Sequence, residues 1–311
     1  MAKVTMRKSN SSTLPSRSAL ASRLRSHVEL LAGTIGPRHL GRPSSIDATV
    51  AYIERELTAF GEPLTHHRYS VDDHEVANIV LERRGARRPD RIVVLGAHYD
   101  TEPGTPGADD NASAVAMLLE VARLLRGTST SRTIRFVAFP CEEMPYFASG
   151  SMGSQQYARA CRRSGERIDG LVCLEMVGYF DDAPGSQKVP HEIPRWLHWL
   201  FPKRGNFIAS VANLGSWRLL WGFRRGFKRA VRFPLFSIAL PELVHPIRRS
   251  DNSSFWDQGF PALMITDTSY LRNDNYHAAS DTPETLDYDR MADVTIGVAG
   301  AMARLAGGRM A

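Results

Sequence analysis

Ile92-Val93-Val94-Leu95-Gly96-Ala97-His98-Tyr99-Asp100 is the stretch that decides the fold. Its first six residues are apolar or small with no alternation, which fits a strand buried on both faces. Such a strand belongs in the middle of a sheet covered by helices on both sides. Working outward, Thr133–Phe139, Ile168–Met176 and Pro261–Thr266 read the same way, and Leu64–Val71 and Val76–Glu82 add two more strands. Helices separate them. Val50, Ile53, Leu57 and Phe60 recur at helical spacing after a start at Ser44-Ser45, and Gly61 ends that helix. Ala112–Leu125, Ser151–Arg163 and Tyr288–Leu305 read as three further helices. The alternation predicts the α/β class: a three-layer α/β/α domain whose mixed central sheet is mostly parallel.

The chain has 311 residues, enough to bury about three quarters of its unfolded surface without a disulfide or metal staple. Lys and Arg number 39 against 33 Asp and Glu, a net +6 that is unevenly placed. Between Pro184 and Ser250 stand twelve Lys/Arg and only Glu192 and Glu242, and the first 28 residues carry six basic and no acidic side chains. The distribution predicts a flexible basic arm over residues 1–28 and one domain over 29–311. A basic, aromatic-rich insertion at about 181–250 is expected over the sheet's carboxyl edge. Its tryptophans and phenylalanines among Arg and Lys suggest a membrane-surface or nucleic-acid face as one reading, and packing of the insertion onto the sheet is the reading preferred.

No zinc-finger spacing, RNP motif or arginine-rich helix accompanies the positive charge, so no nucleic-acid partner is expected. No apolar run approaches the roughly 18 residues of a membrane span. Cys141, Cys161 and Cys173 include no CxxC pair, and no secretory signal precedes them, which places the expected compartment in the cytoplasm. Oligomeric state leaves no signature in the sequence.

The chemistry collects where strands end, the edge at which an open α/β sheet binds its ligands. His98 and Asp100 follow Ile92–Ala97, Asp109-Asp110-Asn111 lies in the next loop, and Glu142-Glu143 follows Thr133–Phe139. Glu175 ends another strand, and His277 precedes the last helix. Alone, His98 would be read as a structural histidine and Asp109 as a helix cap or loop residue. Together the acids would repel one another and resist burial unless cations balance them. Two divalent ions suffice if His98 and Glu175 hold one, Glu143 and His277 the other, and Asp110 bridges. Three carboxylates against two Zn²⁺ leave one positive charge, which a hydroxide neutralises. Cys141 abuts Glu142 but has no base partner for thiol chemistry. HExxH, GxSxG and P-loop patterns are absent from the sequence.

The runs Gly96–Asp100, Pro106–Ser113 and Glu142-Glu143 resemble the M28 family of zinc aminopeptidases. So do Leu174–Tyr179, Phe260–Thr268, Tyr276-His277 and Ser280-Asp281-Thr282, in this order and over most of the chain. The resemblance implies two zinc ions per chain, held by His98, Asp110, Glu143, Glu175 and His277. It implies Glu142 as general base towards a water activated by the metals, Asp100 as the acid that orients His98, and a peptide with a free N-terminus as substrate. Glu175 stands where the best-known members have aspartate, and Asn252 stands in Ser250-Asp251-Asn252 where relatives often have Ser-Asp-His. Other amide-directed chemistry on the same scaffold, carboxypeptidase action or glutaminyl cyclisation, is a second reading, and a non-catalytic binding module a third. The paired Glu142-Glu143 favours hydrolysis over cyclisation, and the complete ligand set argues against the module.

Overall fold

A computed structural model describes residues 15–310. Eight strands form one mixed sheet in the order β1-β2-β4-β3-β5-β8-β6-β7. They are β1 (Leu64–Val71), β2 (His74–Arg83), β3 (Arg88–His98), β4 (Arg132–Phe139), β5 (Arg167–Glu175), β6 (Ile208–Asn213), β7 (Leu235–Leu240) and β8 (Ala262–Thr266). The four middle strands β4, β3, β5 and β8 are mutually parallel, as their continuous apolar runs require. The hairpin β1–β2 joins antiparallel to β4, and β6 joins antiparallel to β8.

The helices are α1 (Arg17–Val28), α2 (Pro43–Thr58), α3 (Ala114–Leu124), α4 (Gly153–Arg163), α5 (Trp217–Ala230), α6 (Asn252–Trp256) and α7 (Tyr288–Leu305). Alternate residues of β3 face opposite cores. Val93, Leu95 and Ala97 meet the layer of α1, α2, α3, α5 and α7, while Ile92 and Val94 meet the layer of α4 and α6. Helix α7 has the bounds its periodicity predicts. The helix expected from Ala112 begins as regular α3 only at Ala114, because Asp110 and Asn111 adopt non-helical backbone angles within a π-type turn.

Two expectations are corrected. Residues 17–28 are not part of a flexible arm: they form α1, whose Leu20, Leu24 and Val28 are fully buried and which Ser16 caps through Ala19 N–H. The rest of the expected arm, residues 1–14, lies outside the described residues. Nor does the 181–250 segment merely lie over the sheet. It supplies β6 and β7, which extend the sheet, and α5, which joins the helix layer. Gly226 of α5 makes that docking possible, since a Cβ there would sit 2.5 Å from Ala301 Cα. Phe223 and Phe227 on the same side of α5 are fully buried.

Candidate metal centre

Strand register places the site. His98 ends β3 beside Phe139 of β4, while Gly96 pairs Cys173 of β5 two residues before Glu175. His98 and Glu175 therefore leave neighbouring parallel strands at the same height. The loop after β4 brings Glu142 and Glu143, the loop after β3 brings Asp110, and the loop before α7 brings His277. All six side chains converge.

Asp110 sits at the centre. Its Oδ1 lies 3.3 Å from His98 Nε2, which also lies 3.3 Å from Glu175 Oε2. Its Oδ2 lies 3.2 Å from His277 Nε2, itself 3.2 Å from Glu143 Oε2. One carboxylate thus faces two separate histidine–glutamate pairs. Glu142 Oε2 stands 3.9 Å from His98 Nε2 and forms with His98 and Glu143 a further possible donor group, as Glu102 does with Glu143 and His277.

A second layer of bonds fixes these groups. His98 Nδ1 lies 3.2 Å from the Asp100 carbonyl oxygen, which turns Nε2 towards Asp110 and Glu175. The Asp100 carboxylate accepts the Glu142 and Glu143 backbone N–H groups at 3.1 Å each, so one residue positions the histidine and both glutamates. Asp281 does the same for the next loop, accepting from Asp109 N and Asp110 N at 2.9 and 3.1 Å. Ser250 Oγ donates to Glu175 Oε2 at 2.6 Å. Asn111 clamps the end of β5 through Leu174 O and Met176 N. Asp109 stays out of the cluster and ties Gly178 N to Asn273 Nδ2.

Arg38, fully buried, donates to the carbonyls of Tyr99, Pro106 and Gly107 and so braces the loop between His98 and Asp110. Gly107 turns that loop with φ 63°, and a Cβ there would lie 2.3 Å from Asp110 O. Sequence reasoning missed Arg38, Ser250 and Asp281 as positioning residues. Asp281 left a signal within Ser280-Asp281-Thr282 and Ser250 one within Ser250-Asp251-Asn252, while Arg38 left none. Asn252 donates to Ile247 O and touches none of the converging acids in a hydrogen bond.

The donor set fits a cation. Buried atoms without a hydrogen-bond partner include His98 Nε2, Asp110 Oδ1 and Glu143 Oε1. Leaving such groups unsatisfied costs about 1–3 kcal/mol each, and imidazole with carboxylate is a donor set that zinc takes. Protons fill the deficit otherwise. Burial opposes charge on His98, but Glu142, Glu175, Asp100 and Asp110 raise it well above an ordinary histidine. His277 rises to about 10 against burial, through its bonds to Asp110 and Glu143. Burial and the Asp110 charge push Glu143 up to about 8, and burial also raises Glu142. Burial would raise Asp110 too, but bonds from His277 and His98 hold it below the usual carboxylate range. Asp251, buried with neither carboxylate oxygen hydrogen-bonded, rises to about 7 through desolvation. Burial raises the Cys141 thiol, which suits a packing residue rather than a nucleophile.

A cavity of about 850 Å³, counting its open mouth, begins at Glu175 and Tyr276. Phe201, Phe207, Phe236, Ile238 and Met264 line it. It lies between the loop 187–207 and the face of β6 and β7 opposite α5, so the 181–250 segment builds much of its wall.

A mixed sheet carrying this cluster at its carboxyl edge defines a metallopeptidase, and comparison with known proteins identifies the family. The description "Peptidase family M28" matches residues 78–211 and 218–302. The chain is 35% identical to the uncharacterized protein YfbL of Escherichia coli K12, over 92% of this chain and 89% of that one. It is 27% identical to a probable zinc metalloprotease of Pyricularia oryzae, over 74% of this chain but only half the length of that relative. The solved structure of BSAP, a zinc aminopeptidase from Bacillus subtilis, shares the fold with a TM-score of 0.73 at 16% identity, covering 92% of this chain and 95% of that one. The chain belongs to peptidase family M28.

Proposed function

We propose that the chain is a zinc aminopeptidase that releases N-terminal residues from peptides. One observation carries the reading: the two oxygens of Asp110 face His98 with Glu175 on one side and His277 with Glu143 on the other. His98 and Glu175 would hold one zinc ion, Glu143 and His277 the second, and Asp110 both. Zinc at these positions would supply a Lewis acid and lower the pKa of water towards neutrality.

The remaining work falls to the chain's own groups. Glu142 is buried among these groups, and burial raises its proton affinity well above that of an ordinary carboxylate. It is therefore suited to take a proton from water and return it to the leaving amine. Asp100 keeps Glu142 and His98 in fixed relation through its bonds to both loops. The apolar cavity beside Glu175 suits a large apolar side chain at the substrate's N-terminal position. Three free, buried cysteines support a reducing, cytoplasmic setting.

The test is a panel of aminoacyl and N-blocked peptides, with N-terminal glutaminyl and C-terminal substrates included, assayed with zinc and with chelator. Zinc-dependent release from free-amine substrates alone supports the reading. Turnover of blocked, C-terminal or glutaminyl-cyclising substrates in their place overturns it.

A further inference from the structure

Residues 193–241 contain nine Lys/Arg and no Asp or Glu. None of the nine forms an ion pair among the described residues, and the flanking pairs Lys188–Asp274 and Arg248–Glu242 lie outside the segment. Among the described residues, eight large apolar side chains are exposed, and seven of them fall between Trp196 and Leu243. Trp196 and Trp199 are 73% and 74% exposed, Trp217 and Trp221 50% and 51%. Packing the insertion onto the sheet does not account for these four. The fifth tryptophan, Trp256, is buried.

Helix α5 shows how the surface is built. Leu219, Leu220, Phe223 and Phe227 enter the core, while Trp217, Trp221, Arg225 and Lys228 follow one another along the outward side. Arg218 lies over the Trp217 ring and Arg224 over Trp221, at 5.4 and 5.6 Å. Unpaired cations interleaved with exposed indoles suit a boundary where negative charge and apolar matter meet.

We propose that the outward side of α5, with Trp217 and Trp221 set among Arg218, Arg225, Lys228 and Arg229, docks the protein onto anionic phospholipid bilayers. Trp217 and Trp221 would enter the headgroup layer, and the cations of α5 would lie against lipid phosphates. A second copy of the chain is a poorer occupant, because it would set the same unneutralised positive charge against itself. Nucleic acid shares the negative charge, but Leu214, exposed in the turn that leads into α5, offers it neither stacking nor hydrogen bonds. The inference stands on the α5 side and the 193–241 charge alone, independent of the proposed peptidase activity.

The test is co-sedimentation of the full chain with vesicles of phosphatidylcholine and with an equal mixture of phosphatidylcholine and phosphatidylserine. Binding to the mixed vesicles only, released by high salt and accompanied by a blue shift of tryptophan emission, is the expected result. The double variant K228E/R229E should weaken it by about tenfold. W217A/W221A should lose part of the blue shift, and both variants should melt as the parent does. Absence of binding, or equal binding to both vesicle types, overturns the proposal. So does capture of single-stranded RNA without vesicle binding, or a dimer in sedimentation velocity that is lost in W217A/W221A.

Discussion

The carboxyl edge of β3, β4 and β5 and the segment from residue 193 to 241 are opposites in charge and in construction. At the sheet edge, acids crowd together in the interior, and Asp100, Asp110, Glu143 and Glu175 are held by backbone N–H groups, a hydroxyl or histidines. In the segment, the described cations stand without acidic partners. Buried like charge must be answered inside the protein, so it recruits many positioning bonds. Exposed like charge can be answered by solvent or by a partner. The first region demands ions, while the second leaves its complement to come from outside.

The largest effect expected follows from removing the shared carboxylate. Asp110→Ala should lose at least one equivalent of zinc by elemental analysis and abolish measurable peptidase turnover, while α5 and the basic surface stay folded. Undiminished two-metal occupancy would remove Asp110 from the bridge. Glu142→Gln should separate ligation from proton transfer, keeping metal content but lowering kcat by about 10²–10⁴. Parent-like kcat would take the proton role away from Glu142.

Phe223→Ala runs the comparison from the other side. The ring is fully buried between α5 and its neighbours, so truncation should cost about 3–5 kcal/mol in denaturant unfolding. Zinc content of the folded fraction should be unchanged. Loss of zinc from that fraction would show that the two regions are one cooperative unit.

The smallest effect is a proton count. Against burial, Asp110 and Glu143 push His277 up to about 10, and burial pushes Glu143 up to about 8, so without metal the pair holds protons at neutral pH. Ligation requires them deprotonated, so zinc uptake should release protons and apparent affinity should rise as pH rises. Calorimetry in buffers of different ionisation enthalpy reads the release directly, and zinc uptake without proton release at pH 7 would contradict the arrangement.

The contrast also governs what can be read from the chain. Strands β3, β4, β5 and β8 declare themselves because burial on both faces needs unbroken apolar runs. His98, Asp110, Glu143, Glu175 and His277 are conspicuous because polar groups follow those runs or sit in the adjoining loops. Strands β6 and β7, Ile208–Asn213 and Leu235–Leu240, are only six residues each and lie among tryptophans and arginines that mask them. Helix α1 hides behind serine and arginine, although Leu20, Leu24 and Val28 keep helical spacing. Arg38 is invisible in one dimension, and Ser250 stands out only as part of Ser250-Asp251-Asn252, since the roles of both depend on what the fold places beside them.

Anomalous X-ray scattering from crystals of the zinc-loaded chain, recorded on both sides of the zinc absorption edge, tests the central claim most directly. The account predicts two zinc peaks, one on each side of the Asp110 carboxylate, the first against His98 and Glu175 and the second against Glu143 and His277. A single peak, or zinc bound anywhere that leaves Asp110 uncoordinated, would contradict it.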